Sequence, residues 1–175
     1  MTPRRRTSGF TMLEVLISIV VLSFGLLGIA GLQAFALKNN HSATMRSTAT
    51  ALATDVIDRM KANVQGMVNG DYNAPSPGSY ARPTADCTGA SAACSPTDMA
   101  AYDRWQFANA VATRLPGGVG VVCVDNTPND GTDVSPDCDN DANAPNQYVV
   151  KIWWTDERNA GATATKLRFT TAFNP

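Results

Sequence analysis

The stretch SGFTMLEVLISIVVLSFGLLGIAGLQAFAL, residues 8–37, decides how this chain is read. Between Arg6 and Lys38 the only charged side chain is Glu14, and from Val15 to Leu37 there is none. That apolar run of 23 residues, as a helix rising about 1.5 Å per residue, reaches about 35 Å, enough to cross a hydrocarbon layer of about 30 Å. It is longer than the roughly 7–15 residues of a secretory signal core, and no small-x-small cleavage site follows before polar helix begins, so it reads as a retained span. Arg4, Arg5 and Arg6 precede it and only Lys38 directly follows. The positive-inside bias therefore predicts a cytoplasmic N-terminus with the remainder outside.

Glu14 calls for an explanation, because an ionised carboxylate costs about 2.5–3.5 kcal/mol at the centre of a membrane helix and less near an end. Snorkelling to the headgroups is the plain reading; pairing with a positive group is the sharper one. Ser8-Gly9-Phe10-Thr11-Met12-Leu13-Glu14, behind an arginine-rich leader and ahead of an apolar run, resembles the N-terminus of type IV prepilins and pseudopilins. The resemblance implies that a membrane prepilin peptidase removes the leader after Gly9 and that Phe10 is then N-methylated. It also implies an assembly role for Glu14, whose carboxylate would neutralise the new α-amine of Phe10 on a neighbouring subunit. Gly25, Gly28 and Gly31 read either as ordinary membrane-helix glycines or as points of close packing or local melting. Many major pilins carry a proline in this part of the helix, where this chain has Gly31.

Working outward from the span, no proline occurs from Phe10 to Ala74, and Met45, Ala49, Leu52, Val56, Met60 and Val64 recur at steps of three and four. The helix is expected to continue into water with its apolar stripe covered by the rest of the chain. Gly66, Gly70, Pro75, Pro77 and Gly78 are expected to stop it and open a loop. Asp55, Asp58, Arg59 and Lys61 fit a solvated helix surface. His41, the only histidine, has no second histidine to share a ligand role and reads as a surface residue.

The whole chain of 175 residues is 44% hydrophobic and 17% charged, which fits one domain and excludes a disordered polyelectrolyte or a multi-span membrane protein. Net charge is −1, and without the three leader arginines 11 basic face 15 acidic side chains, about −4. No basic stripe interleaves with aromatics, so no nucleic-acid partner is expected. Cys87, Cys94, Cys123 and Cys138 all lie on the side expected to be outside, where an even count fits two disulfides. Three pairings are open. Cys87 with Cys94 and Cys123 with Cys138 are favoured because both close short loops, each contributing about 2–3 kcal/mol in the chain-entropy model. Zinc is disfavoured for want of CxxC pairs.

Ser95-Pro96-Thr97-Asp98 reads as an N-cap, a first-turn proline and a capping acid, and Pro116-Gly117-Gly118 as a stop. The helix between them is expected to bury Tyr102, Trp105, Ala108, Ala112 and Leu115. Val119 to Val124, Gln147 to Thr155 and Lys166 to Phe173 are the candidate strands. In the second, Tyr148, Val150, Ile152 and Trp154 alternate with Val149, Lys151, Trp153 and Thr155, which predicts one face on the long helix and a half-exposed face opposite. Trp153 is weighed as a subunit-contact residue.

From Asp125 to Asp141 lie six aspartates with no lysine or arginine from Leu115 to Tyr148. Asp137, Asp139 and Asp141 have the spacing that begins a calcium loop, yet Ala142 and Tyr148 stand where an EF-hand has glycine and an acid. A solvated, turn-rich loop without a cofactor is the expectation, with a non-EF calcium loop as the alternative.

The segments GLLGIAGLQ, DRMKAN, DRWQFANAVATRLPGG and VVKIWW together resemble the PilV family of type IV pilus minor pilins, over nearly the whole chain. This implies an α+β, ladle-like pilin fold: a long N-terminal helix whose outer half packs on a small antiparallel sheet and a second helix. The expected organisation is a cleaved leader at 1–9, a transmembrane and filament-core helix at 10–37, its soluble continuation at 38–68 and a periplasmic or extracellular head at 69–175. Expected partners are other major and minor pilins, the prepilin peptidase and N-methyltransferase, and the inner-membrane pilus assembly machinery. The protein would sit in the inner membrane before assembly and on the cell surface afterwards, helping to prime the fibre near its tip and influencing adhesion. A type II secretion pseudopilin is the near alternative, and a filament-displayed adhesin or calcium-binding head the alternative of another class. Enzymatic activity is not expected, since no Ser-His-Asp set, Cys-His pair, P-loop or dinucleotide fingerprint can be assembled.

Overall fold

The computed structural model describes residues 9–77, 80–85, 87–89, 93–139, 147–155 and 166–174. The leader with Arg4 to Arg6, Gly78 and Asp141 lie outside the described residues. The fold is α+β. Helix α1 spans Met12–Ala62, α2 Val64–Val68 and α3 Pro96–Arg114, followed by strands β1 Val119–Val124, β2 Tyr148–Thr155 and β3 Lys166–Phe173. The chain divides into two units, residues 1–41 and 42–175.

In the first unit α1 has no packed face: residues 9–41 are exposed throughout. Thr11 caps the helix, its Oγ1 accepting from the Glu14 N–H at 3.3 Å. The serines within the apolar run satisfy themselves locally, Ser18 Oγ donating to the Glu14 carbonyl and Ser23 Oγ to the Ile19 carbonyl, each at 2.7 Å. A helix that is apolar all round and covered by none of its own chain is a helix built for an apolar environment.

The second unit holds the core. Ala49, Leu52, Ala53, Val56 and Met60 of α1 meet Ala100, Phe107 and Val111 of α3 and Val122, Val150, Ile152 and Trp154 of the sheet. The strands run β1-β2-β3, both pairs antiparallel, with Val122 opposite Val150 and Ile152 opposite Phe169. The α3 N-cap is Ser95, whose Oγ accepts from the Asp98 N–H, with Pro96 in the first turn. Gly120 lets α3 lie close on β1, because a Cβ there would meet the Phe107 ring at 2.8 Å.

Three expectations are corrected here. The long helix does not run to residue 68: it breaks at Asn63, and Val64 turns outward to 58% exposure while Met67 is buried instead. The break is chemical, since the Asn63 Oδ1 accepts from the Gly66 N–H and its Nδ2 donates to Tyr72 Oη at 3.1 Å and the Pro96 carbonyl at 2.7 Å. Of the residues expected to be buried along α3, Tyr102, Ala108 and Leu115 are, together with Ala100, Asp103, Phe107 and Val111; Ala112 is exposed instead and Trp105 lies half-buried on the flank, tilted against Tyr102 with Arg82 over its ring. Finally, β2 has no half-exposed face. Val149, Lys151 and Trp153 are buried like their alternates, so Trp153, at 3% exposure, is no surface for a partner.

Candidate functional site

Two places gather the residues singled out in the sequence. At the start of α1, Gly9, Phe10 and Glu14 stand within six residues, all exposed, with Phe10 at 83%. Glu14 lies in the first turn, where a negative charge is favoured by the helix dipole. Among the described residues no cation pairs with its carboxylate. Gly25, Gly28 and Gly31 are open on all sides, with nothing within 4 Å of an added Cβ. Among the described residues, this stretch therefore presents one carboxylate without a cation and an apolar helix without a packed face.

The second place is the acidic loop after β1. It is turn-rich and exposed at Thr127, Asn129, Val134 and Asp137, as expected, but it is also pinned to the sheet by three cations. Lys151, mid-strand in β2, puts Nζ 2.5 Å from Asp125 Oδ2 and 2.9 Å from Asp130 Oδ1, and donates to the Pro136 carbonyl at 2.8 Å. Lys166 pairs with Asp133 at 2.5 Å and also reaches the Gly117 carbonyl. Arg168 donates to the backbone carbonyls of Asn129, Asp130 and Gly131. Cys123 joins Cys138 beneath, and Val121, Cys123 and Trp153 form a small second core with Val119 and Cys138.

Burial pushes the Asp125 carboxyl up, and a hydrogen bond with Asp139 adds to this. The Lys151 hydrogen bond holds Asp130 below the ordinary aspartate range. Asp139 is lowered by its bond to Asp125 and by the Asn126 N–H, 2.9 Å from its Oδ1. Asp137 and Asp139 are exposed, and Asp141 lies outside the described residues. Cys123 and Cys138 flank Asp125 closely enough for a metal site, but their sulfurs are bonded to each other. The other pair, Cys87 and Cys94, is likewise joined.

Lys151, Lys166 and Arg168 went unnoticed as loop partners in the sequence. The available signal was a lysine in the middle of VVKIWW, where a strand buried on both faces needs a counter-charge from elsewhere.

With this geometry in view, residues 4–30 match the prokaryotic N-terminal methylation motif, and residues 31–105 match the Tt1218-like family, described as type IV pilin Tt1218. Together these two matches support a type IV pilin. No curated protein and no solved structure matches the chain. The methylation motif takes in Gly9, Phe10 and Glu14; the pilin match runs along the outer part of α1, through α2 and into α3 as far as Trp105. The sheet and the acidic loop lie beyond both matches.

Proposed function

We propose that this chain is a minor pilin of the PilV family, cleaved after Gly9, methylated on Phe10 and incorporated into a type IV pilus that it helps to prime. Its role is structural rather than catalytic. The observation that carries this reading is the α1 N-terminus: a helix exposed over residues 12–41, with one carboxylate in its first turn and no partner among the described residues. Before assembly the helix spans the inner membrane with the leader in the cytoplasm and the head in the periplasm, in reach of the prepilin peptidase and the assembly machinery. After assembly the helix packs among those of other pilins. The head, held by two disulfides, is displayed near the fibre tip, where its loops influence adhesion.

Replacing Glu14 tests the assembly role. Glu14→Ala is expected to be cleaved and methylated normally but to fall about tenfold or more in sheared fibres relative to the membrane fraction, as loss of a buried charge pair of a few kcal/mol implies. Normal incorporation would contradict pairing with the Phe10 amine. Deleting the gene separates the near alternative: loss of surface fibres fits the pilus, whereas intact fibres with a failure of protein secretion fit a pseudopilus.

A further inference from the structure

Lys151 Nζ and Asp125 Oδ2 lie 2.5 Å apart, with both side chains at 0% exposure. Oδ2 nevertheless has no hydrogen-bond partner. The hydrogen bonds of Nζ go elsewhere, to Asp130 Oδ1 at 2.9 Å, the Pro136 carbonyl at 2.8 Å and, more weakly, the Asp130 carbonyl at 3.4 Å. The amine is thus pressed against the Asp125 carboxyl without the alignment of a hydrogen bond. The second Asp125 oxygen, Oδ1, is held by the Thr127 N–H at 2.8 Å. Thr127 Oγ1 in turn donates to Asp130 Oδ2, fixing the carboxylate that faces Nζ from the other side. A nucleophile and a carboxyl carbon with one oxygen already bonded to a backbone N–H are therefore assembled in a dry site, with a part-exposed base at its edge.

We propose that Lys151 and Asp125 condense to an intramolecular isopeptide bond. Asp130 accepts a proton from Nζ, and the freed amine attacks Cγ of Asp125. The C–N bond forms with the developing charge on Oδ1, under the Thr127 N–H. The Cγ–Oδ2 bond then breaks. Of the three protons on the original ammonium, one stays on the amide nitrogen and two leave with Oδ2 as water, by way of Asp130. The balance is closed: ammonium and carboxylate become amide and water, with no redox change and no other reactant.

Two physical effects drive the step. Holding both groups in contact supplies an effective concentration on the order of 10⁵–10⁸ M. Condensation also replaces two buried charges, each costly to desolvate, by one neutral amide whose N–H keeps an acceptor in Asp130 or the Pro136 carbonyl. The product ties the end of β1 to the middle of β2 and fixes the acidic loop beside the Cys123–Cys138 bridge.

Peptide mapping of the full-length protein, purified from membranes in detergent with its disulfides reduced and alkylated, tests this directly. The expected result is a tryptic peptide running from Leu115 to Arg158, uncleaved after Lys151 and about 18 Da, one water, lighter than its own linear sequence. Lys151→Arg, which keeps the charge, and Asp125→Ala are each expected to be cleaved after residue 151 and to return two linear peptides, 115–151 and 152–158, at full mass. Recovery of separate, unmodified peptides from the unsubstituted protein, with normal cleavage after Lys151, would overturn the proposal and leave a plain buried ion pair.

Discussion

Asp103 is only 3% exposed on α3, receiving the Tyr72 hydroxyl at 2.6 Å and facing Arg59 at 3.5 Å. Burial pushes its carboxyl above the ordinary aspartate value, and Tyr72 and Arg59 oppose the shift without cancelling it. The native state therefore holds this proton to higher pH than the unfolded chain does. Stability from this group declines as pH rises from the unfolded value of about 3.9 through the raised folded one, then levels off. Asp103→Asn keeps an acceptor for Tyr72 but removes the titration. Thermal melting of the detergent-solubilised protein between about pH 3 and 7 should show that downward contribution in the parent and its absence in the variant; identical pH profiles would contradict the assignment. The burial of Asp103 was not legible in the sequence, because a lone aspartate in a helix reads as solvated until its partners from other elements are known. The partners of Lys151 were illegible for the same reason, its counter-charges lying on a loop joined to it only through space.

At the scale of elements, periodicity and turn chemistry carried most of the reading. Val119–Val124 and Lys166–Phe173 are strands with the boundaries their composition indicates, and Ser95-Pro96 starts α3 where its capping chemistry places it. What failed was decided by contacts distant in sequence. The break at Asn63 depends on Tyr72 and Pro96, and the covering of the outer sheet face depends on the acidic loop. A period-2 pattern identifies two faces of a strand but not what lies over each. The seating of α3 on β1 gives a prediction at this scale. Gly120→Ala would place a methyl 2.8 Å from the Phe107 ring and 3.0 Å from Val111, an overpacking expected to cost about 1–3 kcal/mol. Denaturant unfolding should show a lower midpoint at unchanged slope, and a variant as stable as the parent would mean that α3 stands off from the sheet.

For the whole molecule, the two units answer to different surroundings. Residues 42–175 bury a core of their own, whereas residues 9–41 expose an apolar helix that nothing in their unit covers. This division was legible in the sequence, because one charge between Arg6 and Lys38 leaves such a helix no aqueous role. The type IV pilin and methylation matches agree with it over residues 4–105, and the finer assignment to a PilV-like minor pilin rests on the segments that resemble that family. Mass spectrometry of the N-terminal peptide, taken from protein recovered from membranes and sheared fibres, tests the central claim most directly. The account predicts a mature chain that begins with N-methylated Phe10. A chain retaining Arg4 to Gly9 in cells whose other prepilins are processed would contradict it.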